Sequence, residues 1–424
     1  MKAFILRRID VMYYLLFLFT ILGGMIDFRI KYLNYWDEIT LLIVLFLWIR
    51  KGVLRSIKKD NKTTRIILII IFFIGLGIVS NFVNVGIQTS YVAIIKDIYA
   101  FIKFPVLMIL LPQIYQPSQK HISKICKICK CIVIITALFA LIGYHFEIGV
   151  YVFEPDRMLK TFEFYYRHTT FFVSSYICIL IMFIQDSMKN NKGYILLTCL
   201  LLFMSQRTKA FFIIAVTIAL FVVGEKNIKK LYYELSNRLK FKKKYIYIVM
   251  VIAILAAWLL GKDKILYHFS YGVSAARPAL YIIGIKIMLD FFPIGSGWGT
   301  FASYISGEYY SGIYNMYGIS DVNGLEQHNY AYVGDVFWPY IYGQFGVFGC
   351  LAYIWIIYKL FMNQFVKLKN YDTIIAFGII WVYALFASTA EAYFTNATGV
   401  QMALMLNMYI KNETKETSEV YIDE

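Results

Sequence analysis

Apolar runs of about 17–25 residues, the length that carries a helix across a hydrocarbon core, recur along the chain and alternate with short polar segments. They predict spans at Val11–Ile26, in a second segment ending near Ile49, and at Ile66–Val83, Tyr91–Ile114, Cys131–Val150 and Thr169–Gln185. Further spans are expected at Tyr194–Ser205, Ala210–Gly224, Tyr245–Gly261, Gly343–Phe361, Thr373–Ser388 and Asn396–Ile410. The fold class this pattern predicts is an all-α polytopic membrane protein of about 12 transmembrane helices, with a long outer loop containing short interfacial helices. The expected organisation is residues 1–261 for the first nine spans, 262–342 for the long loop, 343–411 for the last three spans and 412–424 for a polar cytoplasmic tail.

Composition agrees: 60% of the residues are hydrophobic and 16% charged, whereas a soluble domain is about a quarter charged. The net charge of +16 does not point to nucleic acid. The basic residues sit in short clusters between apolar runs, as positive-inside topology requires, and not on one binding face. The richest clusters, Arg50–Arg65 and Lys226–Lys244, are expected inside, which places both termini in the cytoplasm. Met1–Arg8 and the apolar run after it resemble a signal peptide but lack a small-residue cleavage site, so a retained first span is expected. Cys126, Cys129 and Cys131 beside His121 superficially suggest zinc. They fall in a basic loop expected to be cytoplasmic, where reduced thiols are the ordinary state. In the fourth span, Lys96, Asp97 and Lys103 are functional candidates as intramembrane charges. Their position near one end predicts instead an interfacial placement, with Lys103 snorkelling.

The stretch from Tyr271 to Gly349 carries most of the candidate chemistry. Pro278–Phe292 is apolar but too short to span comfortably, and predicts an interfacial or re-entrant helix that Pro293 ends. Arg277 opposes the dipole at the start of that helix. It either holds an anion together with the first backbone N–H groups or faces water or lipid headgroups. The alternating Gly295, Gly297 and Gly299 predict a tight turn with close backbone approach, not a dinucleotide fingerprint. Tyr304, Tyr309, Tyr310, Tyr314 and Tyr317 suit sugar faces or a membrane interface equally well. Glu326, His328 and Asp335 precede the next span, and an imidazole or carboxylate there can take a proton from a hydroxyl. Arg167, Arg207 and Arg277 all fall on the expected outer side, against the usual inside bias. Three such cations predict a shared anionic ligand.

These motifs occur in a particular order. A Ser-x-Arg-Thr turn (Ser205–Thr208) is followed by Arg277, by the Pro-x-Gly-x-Gly-x-Gly-Thr-Phe run Pro293–Phe301, by His328-Asn329, and by Gly346–Gly349. The arrangement resembles the bacterial O-antigen polymerase and ligase superfamily. Arg167, within Tyr166–Phe171, loosely resembles a further arginine motif of that group. The resemblance implies a metal-independent, cofactor-free glycosyltransferase at the outer face of the plasma (inner) membrane. Its substrate would be an undecaprenyl-pyrophosphate-linked oligosaccharide. Arg207 and Arg277, with Arg167, would hold the pyrophosphate; Tyr304 and Glu326 are further substrate-binding candidates. In the family pattern the base stands eleven residues before the glycine of the next span, which here is Asp335 relative to Gly346, not His328. Both remain candidates. The implied activity is polymerisation of repeat units, with membrane lipids, a chain-length regulator and a flippase as associated partners. Alternatives are a ligase that transfers polymer to lipid A-core or another acceptor, and a lipid-linked oligosaccharide flippase. Charge concentrated in a long outer loop, and not at the midplane, favours an enzyme.

Overall fold

The computed structural model describes residues 13–25, 35–50, 61–114, 118–146, 150–152, 160–236, 270–368 and 370–409. The expected span Tyr245–Gly261, the Met1–Arg8 segment, most of the two richest basic clusters and the tail 412–424 lie outside them. The described chain is mostly helical. In order it forms α1 (Tyr13–Met25), α2 (Trp36–Arg50), α3 (Asn61–Val83), α4 (Tyr91–Ile114) and α5 (Gln119–Phe146). A two-residue antiparallel ladder follows, β1 (Tyr151–Val152) with β2 (Thr161–Phe162), pairing Tyr151 with Phe162. Then come α6 (Thr169–Ser187), α7 (Lys192–Met204), α8 (Thr208–Ser236), α9 (Ala276–Asp290), α10 (Tyr304–Glu308) and α11 (Ile313–Met316). The chain continues through α12 (Trp338–Phe365), α13 (Tyr371–Ala387) and α14 (Ala397–Leu404), the last extended by a π-turn to Tyr409.

Five of these helices are long and apolar enough to cross a membrane: α5, α6, α12, and the apolar parts of α3 and α8; α1, α7 and α13 are apolar but shorter. Burial sorts them. In α6, 83% of the apolar window is buried, against 28% in α3 and α8. Helix α6 is therefore the inner post of its half of the bundle, packed by α5, α7 and α13, while α3 and α8 turn apolar side chains outward, as lipid-facing helices do. In the other half α12 packs on α3 and α9, and α4 packs on α2 and α14.

Three local expectations are corrected. Helix α5 begins at Gln119, so the basic segment with His121, Cys126, Cys129 and Cys131 is the first part of a helix and not a loop. Cys126 and Cys129 are buried and Cys131 exposed, all as free thiols, while His121 packs against the rings of Tyr13 and Tyr14. Helix α12 begins at Trp338, earlier than the apolar run suggested, and is broken at Gly346 (φ 60°, ψ −159°). Lys103 does not snorkel. Its side chain is 7% exposed, and its ammonium lies 2.6 Å from Asp37 and 3.3 Å from Glu38 at the start of α2. A cation held in the interior needs such partners.

The break in α12 receives the glycine run. The backbone N–H groups of Ser296 and Gly297 donate to the freed carbonyls of Gly343 (3.1 Å) and Gln344 (2.8 Å). A Cβ on Gly295 would sit 2.4 Å from Gly346 N, and one on Gly346 would sit 2.3 Å from Pro293 O. The two glycines thus admit each other's backbone. Trp298 is fully buried, with its ring against Phe73, Phe101 and Phe345. Its backbone is clamped on both sides by Asn81 (Trp298 N–H to Oδ1, 2.8 Å; Nδ2 to Trp298 O, 3.0 Å). The Gly299 N–H donates to Asp97 (2.8 Å) and to Gln344 Oε1 (3.0 Å). Irregular backbone at this depth is tolerable because protein satisfies its polar groups. The glycines do make a backbone-close turn, as their spacing predicts, but it lies buried among α3, α4 and α12.

Candidate functional site

Five chain segments converge at the end of the bundle where α6, α8, α9 and α12 begin and α13 ends. At the α7–α8 turn, Gln206 takes φ 51° and presents Arg207. The Arg207 guanidinium donates through Nε to the Thr169 hydroxyl at the start of α6, and its Nη2 lies 3.4 Å from His168 Nε2. On α9, Arg277 stands one turn before Tyr281, whose hydroxyl donates to Thr389 O (2.7 Å) in the turn after α13. The segment before α12 is tied to that same turn, since Phe337 N–H donates to Ser388 O (3.3 Å) and Trp338 Nε1 to Ser388 Oγ (3.1 Å). Asp335, two residues earlier, is thereby brought to Arg277: Nη2 donates to Oδ2 at 2.9 Å. The turn after α13 also carries Glu391, which pairs with Lys209 of α8.

The electrostatics follow from this convergence. Arg207 and Arg277 act on the Lys209 ammonium together with Glu391, and Glu391 acts on Asp335. Three cations and two carboxylates therefore share one small region. Burial raises the Asp335 carboxyl above its ordinary value; the charge and hydrogen bond of Arg277 oppose this, and Glu391 adds to it. Arg277 Nε is buried and has no hydrogen-bond partner among the described residues. A donor left in that condition is costly unless a ligand uses it.

A second patch adjoins the first. Tyr304 is 57% exposed and meets Tyr330 edge-on, with ring centroids 5.4 Å apart. Its backbone runs beside Gly334, the neighbour of Asp335, where an added Cβ would lie 3.5 Å from Tyr304 N, and its ring feels the charge of Arg167. Arg167 is anchored by its backbone N–H to Gly24 O (3.2 Å), two residues before the Thr169 that receives Arg207.

Of the residues singled out from sequence, Arg207, Arg277 and Asp335 are brought to one place, with Arg167 and Tyr304 along its edge. His328 and Glu326 lie in the turn closed by the Tyr332 N–H donating to Gly324 O (3.0 Å). His328 is exposed, its neighbour Asn329 bonds Asn323 (3.0 Å), and Glu326 acts on Tyr310. Lys209 and Glu391 were not anticipated. Lys209 reads as part of a basic turn, and Glu391 lies 182 residues away; one signal was available, an isolated carboxylate between two apolar helices. Among the described residues, no group of three His, Cys, Asp or Glu side chains is placed to hold a metal ion.

No family model, no curated protein and no solved structure matches this chain.

Proposed function

We propose that this chain polymerises lipid-linked polysaccharide repeat units by metal-independent glycosyl transfer at the outer face of the plasma membrane. In this proposal the chain crosses the membrane about 12 times, with both termini in the cytoplasm. The donor is an undecaprenyl-pyrophosphate-linked oligosaccharide. The observation that carries the proposal is the convergence of Arg207 and Arg277, from distant segments, around Lys209, with Asp335 held 2.9 Å from Arg277. Guanidinium groups match phosphate oxygens in geometry and keep their charge, and donors fixed in place before the reaction stabilise charge as it develops.

The acceptor hydroxyl oxygen attacks the anomeric carbon of the donor sugar. The bond from that carbon to the pyrophosphate oxygen breaks, and its electron pair leaves with undecaprenyl pyrophosphate, whose added charge Arg207 and Arg277 offset. Asp335 accepts the hydroxyl proton. Its partial burial, reinforced by Glu391 and opposed by Arg277, raises its basicity, as a general base needs. Arg167 and Tyr304 border the path of the sugars.

Arg207→Ala and Arg277→Ala are each expected to abolish long chains in cells while the protein still accumulates in the membrane; polymers of normal length in both would defeat the proposal. A strain lacking the gene separates polymerase from ligase. Loss of a polymerase leaves single repeat units on the acceptor lipid, and loss of a ligase leaves none.

A further inference from the structure

The Lys209–Glu391 pair has no role in the reaction as proposed above, yet it lies within it. The Lys209 side chain is 10% exposed and that of Glu391 21%, so both charges are largely withdrawn from water. A lone buried pair between helices is usually a weak contributor to stability. This one is placed where the Arg207 and Arg277 charges also act on the ammonium. Like charges gathered in a region of low dielectric repel one another. Lys209 adds a third cation to two arginines, an arrangement that disfavours itself unless an anion is present. In the structure the anions are carboxylates of the chain: Asp335 on Arg277 and Glu391 on Lys209.

We infer that Lys209 is a third cation of the pyrophosphate site and that Glu391 is its exchangeable counter-ion, occupying the ammonium until a pyrophosphate displaces it. This rests on the donor reading given above. The two carboxylates stand in for the two phosphoryl groups in the resting site. When a pyrophosphate enters, Lys209 and Arg277 turn to its oxygens, and Asp335 loses the guanidinium that holds its lone pairs. The base is thereby released only when a donor is in place. Glu391 is a positioning residue in this scheme, because it acts through Lys209 and Asp335 and touches no reacting atom.

The consequence is a competition that a purely structural ion pair does not show. The test measures binding of inorganic pyrophosphate, without divalent metal, to the purified full-length protein by calorimetry. Glu391→Gln removes the competitor and is expected to tighten binding about tenfold, which is about 1.4 kcal/mol. Lys209→Met/Glu391→Met removes the pair together, a change that buried pairs commonly tolerate, so the variant remains folded; it is expected to bind about tenfold more weakly than wild type. Unchanged affinity in the double variant, or weaker binding in Glu391→Gln, overturns the inference. If wild type binds and Arg207→Ala/Arg277→Ala does not, the donor site stands whatever the pair does. If wild type itself does not bind pyrophosphate, both the donor reading and this inference fall.

Discussion

Gly346→Ala should unseat the loop that the bundle is built around. The new methyl carbon would lie 2.3 Å from Pro293 O, 2.6 Å from Gly295 N and 2.7 Å from Pro293 C, where ordinary carbon contacts are about 3.5–4.0 Å. All three atoms are backbone, so no side chain can rotate away. Gly346 also has φ 60° and ψ −159°, a region nearly reserved for glycine, in which another residue costs about 1–3 kcal/mol. Relief requires the Pro293–Gly297 segment to withdraw, which breaks the bonds from Ser296 and Gly297 to Gly343 and Gln344, each worth about 1 kcal/mol net. The total is about 3–5 kcal/mol before any cost of moving Trp298. Gly378 is the control: it is helical, and nothing lies within 4 Å of its added Cβ, so alanine there should be neutral or mildly stabilising. Both variants would be extracted in mild detergent, heated, and scored for monodisperse protein on size exclusion. Gly346→Ala should lose its folded peak well below wild type. A melting point matching that of Gly378→Ala would refute the interlock.

Further outcomes concern the charged side chains. Lys103→Met leaves Asp37 without its 2.6 Å partner and should cost about 3–5 kcal/mol in the same thermal assay, with Lys103→Met/Asp37→Leu recovering most of it; equal melting of the single and double variants would contradict this. Asp335 has its carboxyl raised, chiefly by burial. Turnover should therefore fall as pH drops through a value above the ordinary carboxylate pKa of about 3.9, because the protonated form cannot accept a proton. Asp335→Asn should remove turnover at every pH, while His328→Ala, on its exposed turn, should leave both rate and profile near wild type; the opposite pattern would move the base to His328.

Much of the helical framework is legible in the sequence because lipid-length apolar runs leave few alternatives. Tyr91–Ile114 is a helix with the bounds its run predicts, and Gly224, where a span was expected to stop, is where α8 departs from helical geometry (φ 74°). What failed depended on partners distant in sequence. Lys103 looked able to snorkel because Asp37, 66 residues before it, is invisible to local pattern. The Gly295–Gly299 spacing announced a close backbone approach, but nothing local names the broken helix at Gly346 as the partner. The site shows the same division. Arg167, Arg207 and Arg277 stand out in sequence because three cations on the expected outer side run against the usual inside bias. Glu391 does not, because its meaning lies in the Lys209 it meets across the bundle. The adjacent His328-Asn329 pair is prominent in sequence, and the structure places it on an exposed turn.

In the proposed reaction Arg207 and Arg277 serve a glycosyl transfer from a lipid pyrophosphate. The most direct measurement incubates the purified protein with undecaprenyl-pyrophosphate-linked repeat units in the presence of a metal chelator, and follows saccharide length and released lipid pyrophosphate together. Wild type should extend the saccharide by whole repeat units and release one lipid pyrophosphate per bond formed, and Arg207→Ala and Arg277→Ala should do neither. Intact substrate after incubation with wild type, or equal extension by the two arginine variants, would contradict the claim.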